Sequence, residues 1–348
     1  MTETDDFQGQ ERNLDDLFAR FEEQEAKTVQ RYPFKFLDAY EKEDRDIFFG
    51  RENEVDEIYR KFFRASILLV YGQSGTGKSS IINCGLSSKI PPEDVLSIPI
   101  RLGSQPVDNL IRELQKHCDT EIGEPLPLLE AIYEKHHKTI AFIFDQFEEI
   151  FILAPDEERF AVTQMLKNLL ASMKNLKIIF VMRGDYLDHV TELETSLPDI
   201  FQNRVRIEKM RKGQAIQVIE QPCHLTGIEL EQGVPEAILD QVCPHAEIEL
   251  SYLQVYLDKL YRKASSRDAD QIRINMADVH EIGDIGDVLH AFLEEQIAGT
   301  EDPEIYRHVL KAAISAEGTK KIVSAADVSD VLAALGNTLE QHQVKAML

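Results

Sequence analysis

Eight consecutive residues constrain this chain more than any others: Gly72-Gln73-Ser74-Gly75-Thr76-Gly77-Lys78-Ser79. They match G-x-x-x-x-G-K-[ST], a string that arises by chance in roughly one chain in a hundred of this length at average composition. The flanks make chance rarer still, because ILLVY just before it reads as a buried strand and SSIINCGL just after it as a helix. A strand that turns through glycines into a helix aims successive backbone N–H groups at one point in front of the loop. The positive end of the helix dipole points there too. Such a point suits the phosphates of a nucleotide. The candidate cofactor-binding set is therefore Gly72, Ser74, Gly75, Thr76, Gly77, Lys78, Ser79 and Ser80. Within it the Lys78 ammonium would reach the β- and γ-phosphates and the Ser79 hydroxyl would bind Mg2+.

A metal held in this way needs a carboxylate on its other side. Residues 140–145, IAFIFD, supply one: an apolar strand that ends in Asp145, and open α/β sheets bind ligands at the C-terminal ends of their strands. Asp145 is thus the second metal candidate. Glu148 and Glu149 follow within DQFEE. Either could polarise an attacking water; the alternative is that both cap the next turn or face solvent. Gln146 stands where many ATPases carry the catalytic glutamate, which points to slow hydrolysis. A further strand over 176–182 runs into Arg183, placed to sense or stabilise a γ-phosphate, with a surface ion pair as the alternative. The catalytic candidates are Lys78, Asp145, Glu148, Glu149 and Arg183.

Around these motifs, strand-like segments (67–71, 95–101, 140–144, 176–182) alternate with helix-like ones (78–86, 107–118, 128–135, 158–174). The alternation predicts right-handed βαβ crossovers and an α/β fold, a parallel sheet with helices on both faces. Ahead of it, Val55, Ile58, Tyr59 and Phe62 recur at helical spacing after Gly50. After Arg211 the strands fade and helices are predicted over 213–220, 235–242, 250–263, 285–296, 303–316 and 328–335, the last behind a capping start at 324–327. One more helix, 339–348, runs apolar to the last residue, which reads as a fragment boundary. The expected domains are an acidic arm over 1–31, a P-loop domain over 32–212, a helical lid over 213–284 and a partial winged helix over 285–348.

Charge narrows the function. The 348 residues carry 38 Lys+Arg against 62 Asp+Glu, net −24, an excess that repels phosphate backbones. It is unevenly spread. Residues 66–215 hold 17 basic and 21 acidic side chains, so the surroundings of the loop stay near neutral, whereas 216–348 hold 10 and 23. Residues 285–348 hold five basic and ten acidic side chains, the wrong balance for a DNA-reading helix. No apolar run approaches the roughly 18 to 20 residues of a membrane span, and the polar N-terminus has no secretory-signal pattern. Cys84, Cys118, Cys223 and Cys243 are widely spaced and read as free thiols, which points to the cytoplasm.

PFKFLDAYEKEDRDIFFGRENE, GQSGTGKSS, IAFIFDQFEEIF and FVMRGDYL, followed by EKMRKGQAIQVIEQPCHLTGIEL and LSYLQVYLDKLY, together resemble the STAND class of P-loop ATPases. Within that class the resemblance is to the novel STAND NTPase subfamily of bacterial signalling and conflict proteins. It implies an AAA+-like P-loop NTPase fold, ATP/ADP and Mg2+ as ligands, and a switch: ADP holds a closed monomer, and ATP promotes self-association and downstream signalling, antiviral defence included. It also implies that Phe49, Gly50 and Arg51 lie over the base, that Arg183 senses the γ-phosphate, and that Arg204 or Arg206 reaches a neighbour's nucleotide. The trigger and effector are unknown and would act through a missing C-terminal region. One departure is Glu249-Leu250-Ser251, where many STAND lids carry a G-x-P turn against the base. Two other readings stay open: an initiator-like AAA+ ATPase that binds DNA through a helix-turn-helix segment, and a nucleotide-gated scaffold that binds ATP without turning it over.

Overall fold

A strand with apolar side chains on both faces cannot lie at a surface. In the computed structural model, β1 (Ile67–Gly72) divides its residues between two cores, with Ile67 and Leu69 in one and Leu68 and Val70 in the other. β2 (Val95–Ile100) forms one edge of the sheet. In β3 (Thr139–Phe144), Phe142 and Phe144 oppose Ala141 and Ile143, and in β4 (Leu176–Arg183), Ile178 and Phe180 oppose Ile179 and Val181. With β5 (Arg204–Ile207) these strands make an all-parallel sheet of order β2-β3-β4-β1-β5. The structure describes residues 32–118, 123–243, 247–269, 271–300, 302–312 and 325–334. The expected arm over 1–31 and the helix over 339–348 lie outside them.

Helices cover both faces, as the alternation predicts. On one side, α1 (Glu52–Arg64) contributes Val55, Ile58 and Phe62. Beside it packs α2, built from Lys78–Ser80, a π-helical stretch Ile81–Leu86 and Ser87–Lys89, through Ile81, Ile82 and Leu86. On the other side, α3 (Pro106–Gln115) and α4 (Pro125–His136) insert Leu110, Leu114, Leu129 and Ile132. After the short α5 (Glu149–Leu153), α6 (Asp156–Ser172) adds Val162, Leu166 and Leu169. Each such side chain, fully buried, contributes about 1.5–3 kcal/mol.

β5 is missing from the sequence expectation. Its four residues, RVRI, become a strand only by pairing with β1, Leu69 opposite Arg204 through Gly72 opposite Ile207. Val205 and Ile207 point inward while Arg204 and Arg206 are exposed. Beyond it come α7 (Lys212–Leu225), α8 (Val234–Val242), α9 (Leu250–Arg267) and α10 (Met276–Ile282). A two-residue parallel pair, β6 (Glu229–Leu230) with β7 (Arg273–Ile274), was likewise not expected among these helices. α7 continues through Pro222, past the predicted end, at the cost of one backbone hydrogen bond.

The chain divides into two units, Met1–Glu281 and Ile282–Leu348. Sheet and following helices fall in the first. The second holds α11 (Ile285–Ala298), α12 (Pro303–Ala312) and α13 (Ala325–Ala334), with Val309, Val328 and Leu332 packed together. Among the described residues no helix is long and apolar enough to cross a membrane.

Candidate nucleotide-binding site

The glycine loop sits between β1 and α2, as its flanks require. Gly75 (φ +74°) and Gly77 (φ +83°) take the left-handed conformation that lets the backbone curl. Gly72 serves a different need. It lies opposite Ile207, and a side chain there would overlap the Ile207 carbonyl oxygen. Lys78 Nζ donates to the carbonyls of Gly72 (3.1 Å) and Gln73 (2.7 Å), so its ammonium arches over the loop. Burial pushes Lys78 below the ordinary lysine range, against the opposing pull of the Glu148 and Asp145 carboxylates.

Arg51 holds the loop from below. Its guanidinium, 2% exposed, donates to the Thr76 carbonyl (2.9 Å), to the Glu208 carbonyl just past β5 (3.0 Å) and to Glu54 Oε1 (2.7 Å). Thr76 in turn donates its hydroxyl to the Gln73 carbonyl at 2.9 Å. Gly50 (φ +80°) lies against α7, where a Cβ would stand 2.9 Å from the Gln214 carbonyl oxygen, and its own carbonyl accepts from Gln214 Nε2 at 3.0 Å. Phe49 beside it is half-buried. The 49–51 segment is therefore a joint between loop, sheet and α7.

The acidic side is shaped by one residue of unusual backbone. Gln146 has φ +55°, uncommon for a residue with a side chain. It reverses the chain directly after β3, with its N–H on Asp145 Oδ1 at 2.9 Å. Phe147 then plugs into the core against Phe180, ring centroids 4.4 Å apart, with its N–H on the Val181 carbonyl. The reversal leaves Gln146 exposed and turns Glu148 inward, 7% exposed, where Oε2 accepts from the Arg183 backbone N–H at 3.2 Å. Glu149 opens α5 instead. Of the two adjacent acids, Glu148 is the one that reaches Arg183 and whose charge acts on Lys78. The Arg183 guanidinium pairs with Asp185 at 2.6 Å, while its Nε is buried without a hydrogen-bond partner among the described residues.

Ser79 and Asp145 offer a hydroxyl and a carboxylate, an all-oxygen set that fits Mg2+. Among the described residues no three His, Cys, Asp or Glu side chains gather as a metal cage. Mg2+ bound through substrate phosphates and water needs none.

Two further contacts were not foreseen. The start of α9 lies on the glycine loop: a Cβ at Gly75 would be 3.4 Å from Ser251 Oγ and 3.7 Å from Glu249 Oε2, and one at Gly77 3.4 Å from Leu250 Cδ1. The departure Glu249-Leu250-Ser251 thus meets the phosphate loop. The segment before α1 also straps α2 to α9. The Tyr40 N–H donates to Ser80 Oγ (3.1 Å), Tyr40 Oη accepts from Gln254 Nε2 (3.2 Å), and Tyr32 Oη donates to Asp258. Ser80 is engaged here by the strap. The aromatic run in YPFKFLDAY was the available signal for a packed segment. Arg204 and Arg206 lie apart, on the exposed side of β5.

The family model for novel STAND NTPase 1 matches residues 33–348. The chain belongs to that family. No curated protein matches it. Among solved structures, this novel STAND NTPase is similar to the Aeropyrum pernix ORC2 protein in its ADPNP-ADP complexes, at 14% identity and TM-score 0.54, over 85% of this chain and 84% of that one. It is also similar to Cdc6p from Pyrobaculum aerophilum, at 13% identity and TM-score 0.50, over 85% and 84%. At such identities the likeness is one of fold: the sheet is that of an AAA+-like P-loop NTPase.

Proposed function

We propose that this novel STAND NTPase is an ATP/ADP switch. It takes an adenine nucleotide with Mg2+ on the Gly72–Ser80 loop, hydrolyses ATP slowly, and converts nucleotide state into lid position, self-association and cytoplasmic signalling, antiviral defence among its settings. The trigger and the effector are separate from the residues described. The observation that carries the reading is the seating of Glu249-Leu250-Ser251 on Gly75 and Gly77. Phosphates cannot enter or change there without meeting the lid.

The chemistry follows from placement. Lys78 is positioned to leave its loop carbonyls for the β- and γ-phosphates, and Ser79 and Asp145 to hold Mg2+, which when bound neutralises charge developing on the phosphates. Glu148 orients and deprotonates the attacking water, and Arg183 balances charge on the γ-phosphate. Slow turnover is supported by the base itself, since the Glu148 carboxylate already accepts the Arg183 N–H and an exposed amide, Gln146, follows Asp145.

Calorimetric titration with Mg-ATP and Mg-ADP tests the reading. Wild type should bind both, and Lys78→Ala neither. A wild-type chain with no affinity for either nucleotide overturns it.

A further inference from the structure

We propose that Glu249 sets the phosphate preference of this site, its charge favouring a diphosphate over a triphosphate. The proposal rests on the nucleotide-binding assignment above and adds to it a residue that discriminates between the two nucleotides.

Glu249 stands directly before α9 at the rim of the glycine loop, with Oε2 at 3.7 Å from where a Gly75 side chain would begin. It is held there from several sides. Ile248 forms an antiparallel bridge with Met210, the Leu253 N–H donates to the Glu249 carbonyl at 3.0 Å, and Lys209 pairs with the Glu249 carboxylate. Lys209 does not neutralise this corner, because it also pairs with Glu247 at 2.7 Å. One ammonium faces two carboxylates, so the corner keeps a net charge of about −1.

The two acids are not equivalent. Glu247 is 73% exposed and its charge is largely screened, whereas Glu249 is 35% exposed and adjoins the loop. A phosphate loop works by gathering positive potential at its N–H groups. A fixed carboxylate at its rim subtracts from that potential, and the penalty grows with the negative charge of the ligand. ATP brings one phosphoryl group more than ADP and is penalised more. Relief requires the corner to withdraw, so arrival of a γ-phosphate and displacement of α9 become the same event.

The test compares Mg-ADP and Mg-ATP affinities of the full chain by calorimetry, for wild type, Glu249→Gln and Glu247→Gln, at low and high salt. Glu249→Gln keeps the shape and removes the charge. It should tighten ATP about tenfold more than ADP, the order expected for one charge several ångströms away, with the gain shrinking in salt. Glu247→Gln leaves Lys209 to Glu249 alone, so it should shift the ATP/ADP ratio in the same direction but by no more than about twofold, because the charge removed is exposed and screened while the Glu249 carboxylate stays at the loop. An unchanged ratio in Glu249→Gln overturns the proposal, as does an equal change in both variants. If wild type binds neither nucleotide, the nucleotide assignment itself has failed, which the experiment reads separately.

Discussion

Replacing Arg51 separates two roles, a contact with the base and a brace for the loop. Its guanidinium is buried and spans the Thr76 carbonyl, the Glu208 carbonyl and Glu54. Removing one partner of a buried ion pair costs about 3–5 kcal/mol, because the other is left uncompensated. The Glu54 side chain is 20% exposed, so water recovers part of this and the lower figure of about 3 kcal/mol applies. At about 2–4 °C per kcal/mol for a unit of this size, Arg51→Ala should melt roughly 6–12 °C below wild type. Freed at Thr76, the loop should lose affinity for ATP and GTP by the same factor. Arg51→Lys should rescue little, since one ammonium cannot span both carbonyls and the carboxylate. Thermal unfolding followed by circular dichroism gives the first quantity, and titrations with Mg-ATP and Mg-GTP give the second. A variant that melts within about 2 °C of wild type but no longer distinguishes ATP from GTP refutes the brace and restores the base contact.

Three other outcomes are expected. Gly72→Ala should lower the urea midpoint by the equivalent of about 1–3 kcal/mol, the usual cost of overpacking, because its methyl group overlaps the Ile207 carbonyl; a wild-type midpoint overturns this. Glu148→Gln should slow single-turnover phosphate release by about 10²–10⁴-fold while ATP still binds, and Glu149→Gln should leave it near wild type; the opposite pattern moves the base to Glu149. The pH dependence follows Lys78, whose free-protein value burial lowers from 10.5. Below that lowered value the ammonium is charged with or without nucleotide. Bound phosphates favour the charged form, so affinity should fall as pH rises through the lowered value, and binding there should take up a proton. In the unliganded fold the sign is opposite: the unfolded chain holds this proton more tightly, so the unfavourable contribution of charged Lys78 is relieved as pH climbs from the lowered value toward 10.5. Binding heats measured at alkaline pH in buffers of different ionisation enthalpy should therefore differ, and identical heats refute the coupling.

Much of this was legible in the residues, for identifiable reasons. β1, β3 and β4 are apolar on both faces, and that pattern has few meanings outside a covered parallel sheet. The glycine loop announces itself because its backbone conformation demands glycine. β5 hid because two of its four residues are arginines, and only the pairing with β1 defines it. The different placement of Glu148 and Glu149 follows from a positive φ at Gln146, a residue type that gives no such warning. The resemblance puts Arg51 over the base; its contacts with the Thr76 and Glu208 carbonyls were not legible, because those residues are distant from it in sequence. The contact of Glu249-Leu250-Ser251 with Gly75 and Gly77 spans well over a hundred residues, and no local pattern encodes it.

The two edges of the sheet restrict how copies of this NTPase could meet. β2 carries an exposed proline, Pro99, and β5 offers four residues with Arg204 and Arg206 outward. A proline without an N–H interrupts the ladder an added strand would need, and a short, doubly cationic strand gives it little to pair with and charge to meet. Neither edge is a template for strand addition. Any joint between copies of the chain would therefore have to use helices and loops, and a joint of that kind could be made and broken by tilting a rigid element without unzipping a backbone ladder.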